Sequence, residues 1–131
     1  MIAANRPRSL RVVTTRADAK QLGSFYTVVD AVVTSEFVAS RAGRPISVLD
    51  PACGDGRFLA AAAARVRSLG GEVTLHGVDI DLSAVWMARA AIPAAAIVLE
   101  DALARSWPTA RYDLVIGNPP FLSQLAEATT R

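Results

Sequence analysis

Ten consecutive residues, Asp50-Pro51-Ala52-Cys53-Gly54-Asp55-Gly56-Arg57-Phe58-Leu59, constrain the fold of this chain more than any others. Ahead of them Ile46-Ser47-Val48-Leu49 is a short apolar, partly β-branched run, the pattern of a buried strand. From Phe58 to Val66 the chain is alanine-rich and built of strong helix formers. A carboxylate therefore closes a strand, a glycine-bearing turn follows, and a helix begins at once. Gly54 and Gly56 can adopt φ > 0 and let a ligand approach the backbone. The helix start turns unpaired N–H groups toward a negatively charged ligand group. Together these features point to a nucleoside-cofactor pocket.

From Ile46 onward the pattern alternates. Strands are expected at Ile46–Leu49, Val73–Val78, Ala96–Leu99 and Tyr112–Ile116. One helix is expected from about Arg57 to Leu69, closed by Gly70-Gly71; another, capped by Ser83, runs to Ala91 before Pro93. Repeated βα units of this length imply an α/β fold of about four parallel strands with flanking helices. Ligands in such sheets bind beyond the carboxyl ends of the strands. Four stretches fall there: Asp50–Gly56, Asp79–Asp81, Glu100–Ala102 and Asn118–Phe121. Upstream, Ala17 to Gly23 reads as a short helix closed by Gly23. A longer helix follows, with Thr27 as N-cap, Asp30 as its reciprocal partner, and Val29, Val32, Val33 and Phe37 on one apolar face. Gly43 and Pro45 end it, and Met1 to Thr14 reads as a loose arm or an incoming segment.

With 131 residues and 52% apolar content, the chain suits one modest domain rather than a disordered segment. No apolar run reaches the roughly 18 residues that span a bilayer. Met1 to Lys20 has no secretory pattern. Cys53 is the single cysteine, which fits a reducing, cytoplasmic setting. Residues 1–44 carry seven basic and three acidic side chains, residues 45–131 seven and nine. The basic N-terminal segment reads as a solvated tail, with a phosphate-facing role as the alternative.

A dinucleotide fingerprint would place a third glycine at position 59, where Leu59 stands, so a pyrophosphate cradle and a nicotinamide oxidoreductase are disfavoured. Asp79, 23 residues past Gly56, suits ribose hydroxyls; its alternative is a helix-entry residue with Asp81 or Ser83 as cap. Asn118-Pro119-Pro120-Phe121 is the most specific element. Two prolines stiffen the backbone and remove two donors, so carbonyls are held as acceptors beside an asparagine oxygen and an aromatic ring. That set suits a planar base with an exocyclic amine; a rigid strand exit with an aromatic plug is the alternative. Cys53 reads as a small packed thiol rather than a nucleophile. His76 reads as a packed or edge residue, Trp86 and Met87 as helix core or surface, and Trp107-Pro108 as a loop anchor.

Asp-Pro-Ala-Cys-Gly-Asp-Gly at 50–56, taken with Asn-Pro-Pro-Phe at 118–121, resembles the N6-adenine-specific DNA methyltransferases. Gly23-Ser24-Phe25-Tyr26-Thr27 resembles that family's N-terminal cofactor motif, with Val28 where a proline is usual. Gly77-Val78-Asp79-Ile80-Asp81 is similar to its ribose motif and Glu100-Asp101-Ala102-Leu103 to its adenine motif. The likeness spans about residues 20–122. It implies a Rossmann-like S-adenosylmethionine-dependent methyltransferase fold, incomplete here, with residues 1–19 as an arm and 20–131 as a partial catalytic domain. It implies S-adenosylmethionine as cofactor. Asp50, Ala52 and the Gly54–Gly56 turn would hold the methionine part, with Tyr26 and Thr27 closing over it. Asp79 would take the ribose hydroxyls, and Ile80, Asp101 and Ala102 would take the adenine.

The catalytic set implied is Asn118, Pro119, Pro120 and Phe121, acting without a metal or a covalent intermediate on an adenine flipped out of DNA. In that family further strands and a target-recognition region follow; eleven residues follow Pro120 here (121–131). The last strand is therefore expected to leave an apolar edge. A complementary chain is implied as partner, and little or no activity is expected of this chain alone. Methylation of protein glutamine or of an RNA guanine amine, and a non-catalytic cofactor-binding fragment, stand as alternatives.

Overall fold

The computed structural model describes residues 11–14, 22–104 and 112–117, with the backbone alone for 11–14 and 22–26. Five strands, β1 (Arg11–Thr14), β2 (Ile46–Asp50), β3 (Val73–Asp79), β4 (Ala96–Leu99) and β5 (Leu114–Gly117), form one sheet in the order β1-β5-β2-β3-β4. Every pairing is parallel. The helices are α1 (Leu22–Val32), α2 (Ser35–Ala39), α3 (Arg57–Ser68) and α4 (Leu82–Ala91).

Both faces of the central strands are buried, which is why they read as apolar runs instead of alternating. On one face Val48, Leu75, Ile97, Leu114 and Ile116 pack with Val29, Val33, Phe37, Leu59, Val66 and Val85. Ala62, Ala63 and Ala88 lie in the same core, and their small side chains bring the helices close to the sheet. On the other face Leu49, Val78 and Val115 cluster with Ala102 and Tyr112.

The amino edge of the sheet is pinned by a buried carboxylate. Asp113 accepts from Arg41 Nε (3.0 Å), from Arg44 Nη1 and Nη2 (3.0 and 3.1 Å) and from the Ser47 N–H (2.8 Å). The Arg41 guanidinium also lies 4.1 Å from the centre of the Phe37 ring. Burial works against the Asp113 charge, but Arg44, the Ser47 N–H and Arg41 outweigh it and hold the carboxyl below the ordinary range.

Several sequence expectations are corrected. Arg11–Thr14 is a strand, not a loose arm, and it covers the side of β5 that was expected to stand open. Thr27 lies within α1 rather than at its N-terminus, and Gly23 is helical as well. The single long helix divides at Thr34, whose extended backbone (φ −93°, ψ 166°) lets its Oγ1 accept the Phe37 N–H at 3.1 Å and start α2. Asp81, rather than Ser83, caps α4: its carboxylate accepts the Ser83 N–H (2.9 Å) and hydroxyl (3.0 Å). The last strand runs Leu114–Gly117 rather than Tyr112–Ile116, although the Asp113 N–H already donates to Ser47 O (2.8 Å). Trp107-Pro108 lies outside the described residues.

Candidate functional site

Parallel pairing brings the ends of β2, β3, β4 and β5 to one edge of the sheet. There Asp50 ends β2, and the turn 51–56 doubles back over β3, with the Cys53 N–H donating to Val78 O (2.9 Å). The Gly54 N–H donates to Asp79 Oδ2 (2.9 Å), and the Asp81 N–H donates to Asp79 Oδ1 (2.9 Å). Asp79 therefore ties the glycine turn to the end of β3. The Glu100 N–H donates to Asp79 O (3.0 Å), which joins the β4 exit to the same corner. A carboxylate oxygen has two lone pairs, so these bonds leave Asp79 capacity for hydroxyl donors.

Asp50 is wholly buried. Its Oδ1 accepts the Ala52 N–H at 3.1 Å, while its Oδ2 has no hydrogen-bond partner. Burial is the main reason its carboxyl is pushed up to about 7; the Ala52 N–H opposes this and the nearby Asp79 charge adds to it. A buried, unpartnered carboxylate oxygen fits a cationic donor, such as an ammonium group.

The two glycines of the turn serve different ends. Gly54 (φ +54°) has open space where a Cβ would sit. At Gly56 (φ +89°) a Cβ would meet Ile92 Cδ1 at 2.9 Å and Ala88 Cβ at 3.5 Å, so this glycine permits helix packing more than ligand approach. The start of α3 is not the open anion cradle expected of it. Asp55 Oδ1 accepts the Arg57 N–H (3.2 Å), and the Asp55 carboxylate pairs with the Arg57 guanidinium (2.7 Å). The hydrogen bond from Arg57 holds the Asp55 carboxyl below its usual range. The Arg57 N–H at that helix start is thus taken up within the chain.

Cys53 is 4% exposed, and its thiol is pushed up to about 12 by burial and by the Asp50 and Asp79 charges, so it is inert packing. Ile80 stands 73% exposed beside Asp79, an apolar surface available to a flat ring. Asp101 is exposed and its Oδ1 accepts the Leu103 N–H (3.0 Å). The Ala102 side chain is turned into the core. Thr27 is exposed on α1, and Tyr26 precedes it on the same helix. Trp86 and Met87 are on the surface of α4, while Val85 and Ala88 face the core. His76 is half-buried, its Nδ1 2.6 Å from Tyr112 Oη. Asn118, Pro119, Pro120 and Phe121 lie outside the described residues; Gly117, the last residue of β5, precedes them at the same edge. Among the described residues no cluster of ligands suits a metal ion, and no helix is long and apolar enough to cross a membrane.

A parallel sheet covered by helices, with a glycine turn after one strand and an acid ending the next, has the Rossmann-like architecture of methyltransferases. The family model for the methyltransferase small domain matches residues 28–131, and the chain belongs to that family. Solved structures share the fold. The plantazolicin methyltransferase BpumL, crystallised with a triazolic desmethylPZN analog and SAH, is 20% identical with a TM-score of 0.59, over 85% of this chain and 44% of that one. WbdD is 22% identical with a TM-score of 0.55, over 91% of this chain and 28% of that one. The chain thus spans less than half the length of these structures. No functionally curated protein matches it in sequence.

Proposed function

We propose that this chain binds S-adenosylmethionine and takes part in methyl transfer to the N6 amine of adenine in DNA. The observation that carries the cofactor assignment is the orphaned Asp50 Oδ2, buried at the carboxyl edge beside Gly54 and Asp79. The residues present fit the group. Asp50 would receive the ammonium of the amino-acid part, and the open Gly54 backbone would lie against it with Ala52. Asp79 would accept from the ribose hydroxyls. Ile80 would cover the adenine ring, Asp101 would accept from its amine, and Tyr26 and Thr27 on α1 would close the methionine end. Membership in the methyltransferase small domain family and the glycine turn support this reading, as does the SAH bound in BpumL.

Bound there, S-adenosylmethionine would supply an electrophilic sulfonium methyl for an acceptor nitrogen, with the thioether as leaving group. The acceptor amine is a weak nucleophile, because its lone pair is delocalised into the base. Asn118 Oδ1 and the Pro119 carbonyl would accept its two N–H groups and favour a more tetrahedral nitrogen. One of those protons is released to solvent after transfer. Pro120 would stiffen the segment, and Phe121 would stack on the extruded base. Orientation and polarisation carry the rate, without a covalent enzyme intermediate. The adenine-in-DNA assignment rests on Asn118–Phe121 together with the motifs at 23–27 and 50–56.

The test is methyl transfer from labelled cofactor to a panel of DNA, RNA and protein acceptors, alongside calorimetry of cofactor binding. A downstream partner chain is added in a parallel arm. Transfer to DNA adenine is expected, with Asn118→Ala lowering it by about 100-fold or more while cofactor affinity stays within about twofold. Undiminished transfer by Asn118→Ala removes that residue from the mechanism; transfer to RNA or protein alone overturns the substrate.

A further inference from the structure

Strand β5 is held unevenly by its two neighbours. Toward β2 the register covers Val48↔Leu114 and Leu49↔Val115. Toward β1 it runs the full strand, through Val13↔Ile116 to Thr14↔Gly117. Among the described residues, the carboxyl half of β5 is thus paired through β1 alone. That half is the approach to Asn118. Ile116 is buried, and Gly117 takes φ +131°, a backbone conformation that side-chain-bearing residues avoid. A permissive residue therefore stands directly ahead of the segment assigned to methyl transfer. A glycine there does not fix its own direction, so the direction must come from the ladder beside it.

We propose that β1 is the positioning strand for this exit. Its pairing through Val13 and Thr14 fixes the peptide planes of Ile116 and Gly117, the two residues directly ahead of Asn118 in the chain. Partners 103 positions apart in the chain, Thr14 and Gly117, meet at the carboxyl edge, so the N-terminal segment becomes part of the transfer apparatus without touching substrate. A ladder of four residue pairs at a sheet margin is of low local stability, so its effect is felt at β5 before the rest of the sheet. The catalytic consequence rests on the reading of Asn118–Phe121 given above; the structural one does not.

Successive residues of a strand turn their N–H groups to opposite sides, so of Val12 and Val13 one faces β5 and the other faces away. Proline removes a ladder donor at the first and is tolerated at the second. The experiment compares full-length Val12→Pro and Val13→Pro by amide hydrogen exchange, cofactor calorimetry and methyl transfer. At least one variant should lose protection about tenfold at whichever of Ile116 and Gly117 turns its N–H toward β1, with Leu75 and Val78 unchanged. The same variant should lose turnover while its cofactor affinity holds, because the cofactor residues lie on other elements. Unchanged protection at Ile116 and Gly117 in both variants overturns the proposal, as does loss in both that spreads to Leu75 and Val78. The exchange result decides for or against β1 even where the wild-type chain methylates no acceptor, an outcome that sinks the transfer reading alone.

Discussion

Gly77 lies within β3 where three side chains converge: a Cβ there would meet Ile97 Cδ1 at 2.7 Å, Cys53 Sγ at 3.0 Å and Leu59 Cδ1 at 3.0 Å. The turn, α3 and β4 all close over that missing methyl. Gly77→Ala should destabilise the chain by about 1–3 kcal/mol, read as a lower urea midpoint at unchanged slope. Nothing in the sequence near Gly77 announces this demand, because its three neighbours are brought in from 53, 59 and 97. The glycine pair at 54 and 56, by contrast, is plain in the sequence, and so is the acid that precedes it. What the sequence misassigned is the reason for Gly56, which makes room for Ile92 and Ala88. It also missed the Asp79 bond to the Gly54 N–H, which makes the ribose candidate a brace for the glycine turn.

At the scale of elements, periodicity was a good guide where strands are buried on both faces, and β2, β3 and β4 fall within a residue of expectation. It failed where ends are set by side chains. Thr34 and Asp81 outcompete Thr27 and Ser83 as caps because their backbones are extended and their oxygens reach the N–H groups beyond. β1 was not legible, since four residues with no flanking turn signal carry little pattern and its partner lies far along the chain. Asp113 shows the same dependence. It joins the α2 exit to the starts of β2 and β5 through Arg41, 72 positions away, and Arg44, 69 away. Asp113→Ala would leave Arg41, only 8% exposed, without its carboxylate. The expected loss is about 3–5 kcal/mol, read by chemical denaturation, with Ser40→Ala at the rim costing far less.

For the whole molecule, two wholly buried carboxylates give opposite pH dependences. The depressed Asp113 contributes stability above the ordinary carboxylate range, and that contribution is lost as pH falls through its folded-state value. Asp50 is raised from 3.8 to about 7, so the folded state holds a proton that the unfolded state has released. Its stability is fully present below the unfolded value and is lost as pH rises toward about 7. Between those limits the wild-type unfolding free energy should fall, relative to Asp50→Asn, by about 1.4 kcal/mol per pH unit, and the difference should level off above the window. Urea titrations at pH 5 and pH 8 measure it; parallel curves for the two proteins would refute the buried, unpartnered oxygen. The sequence by itself determined the parallel α/β class, the strand–turn–helix at 50–59 and the set of acids at strand ends, because these follow from local period, glycine and charge. Only the tertiary structure decided which acid is orphaned, which braces the turn, and that the first strand closes the sheet beside the last. Burial and strand pairing depend on residues distant in the chain, and no local pattern encodes them.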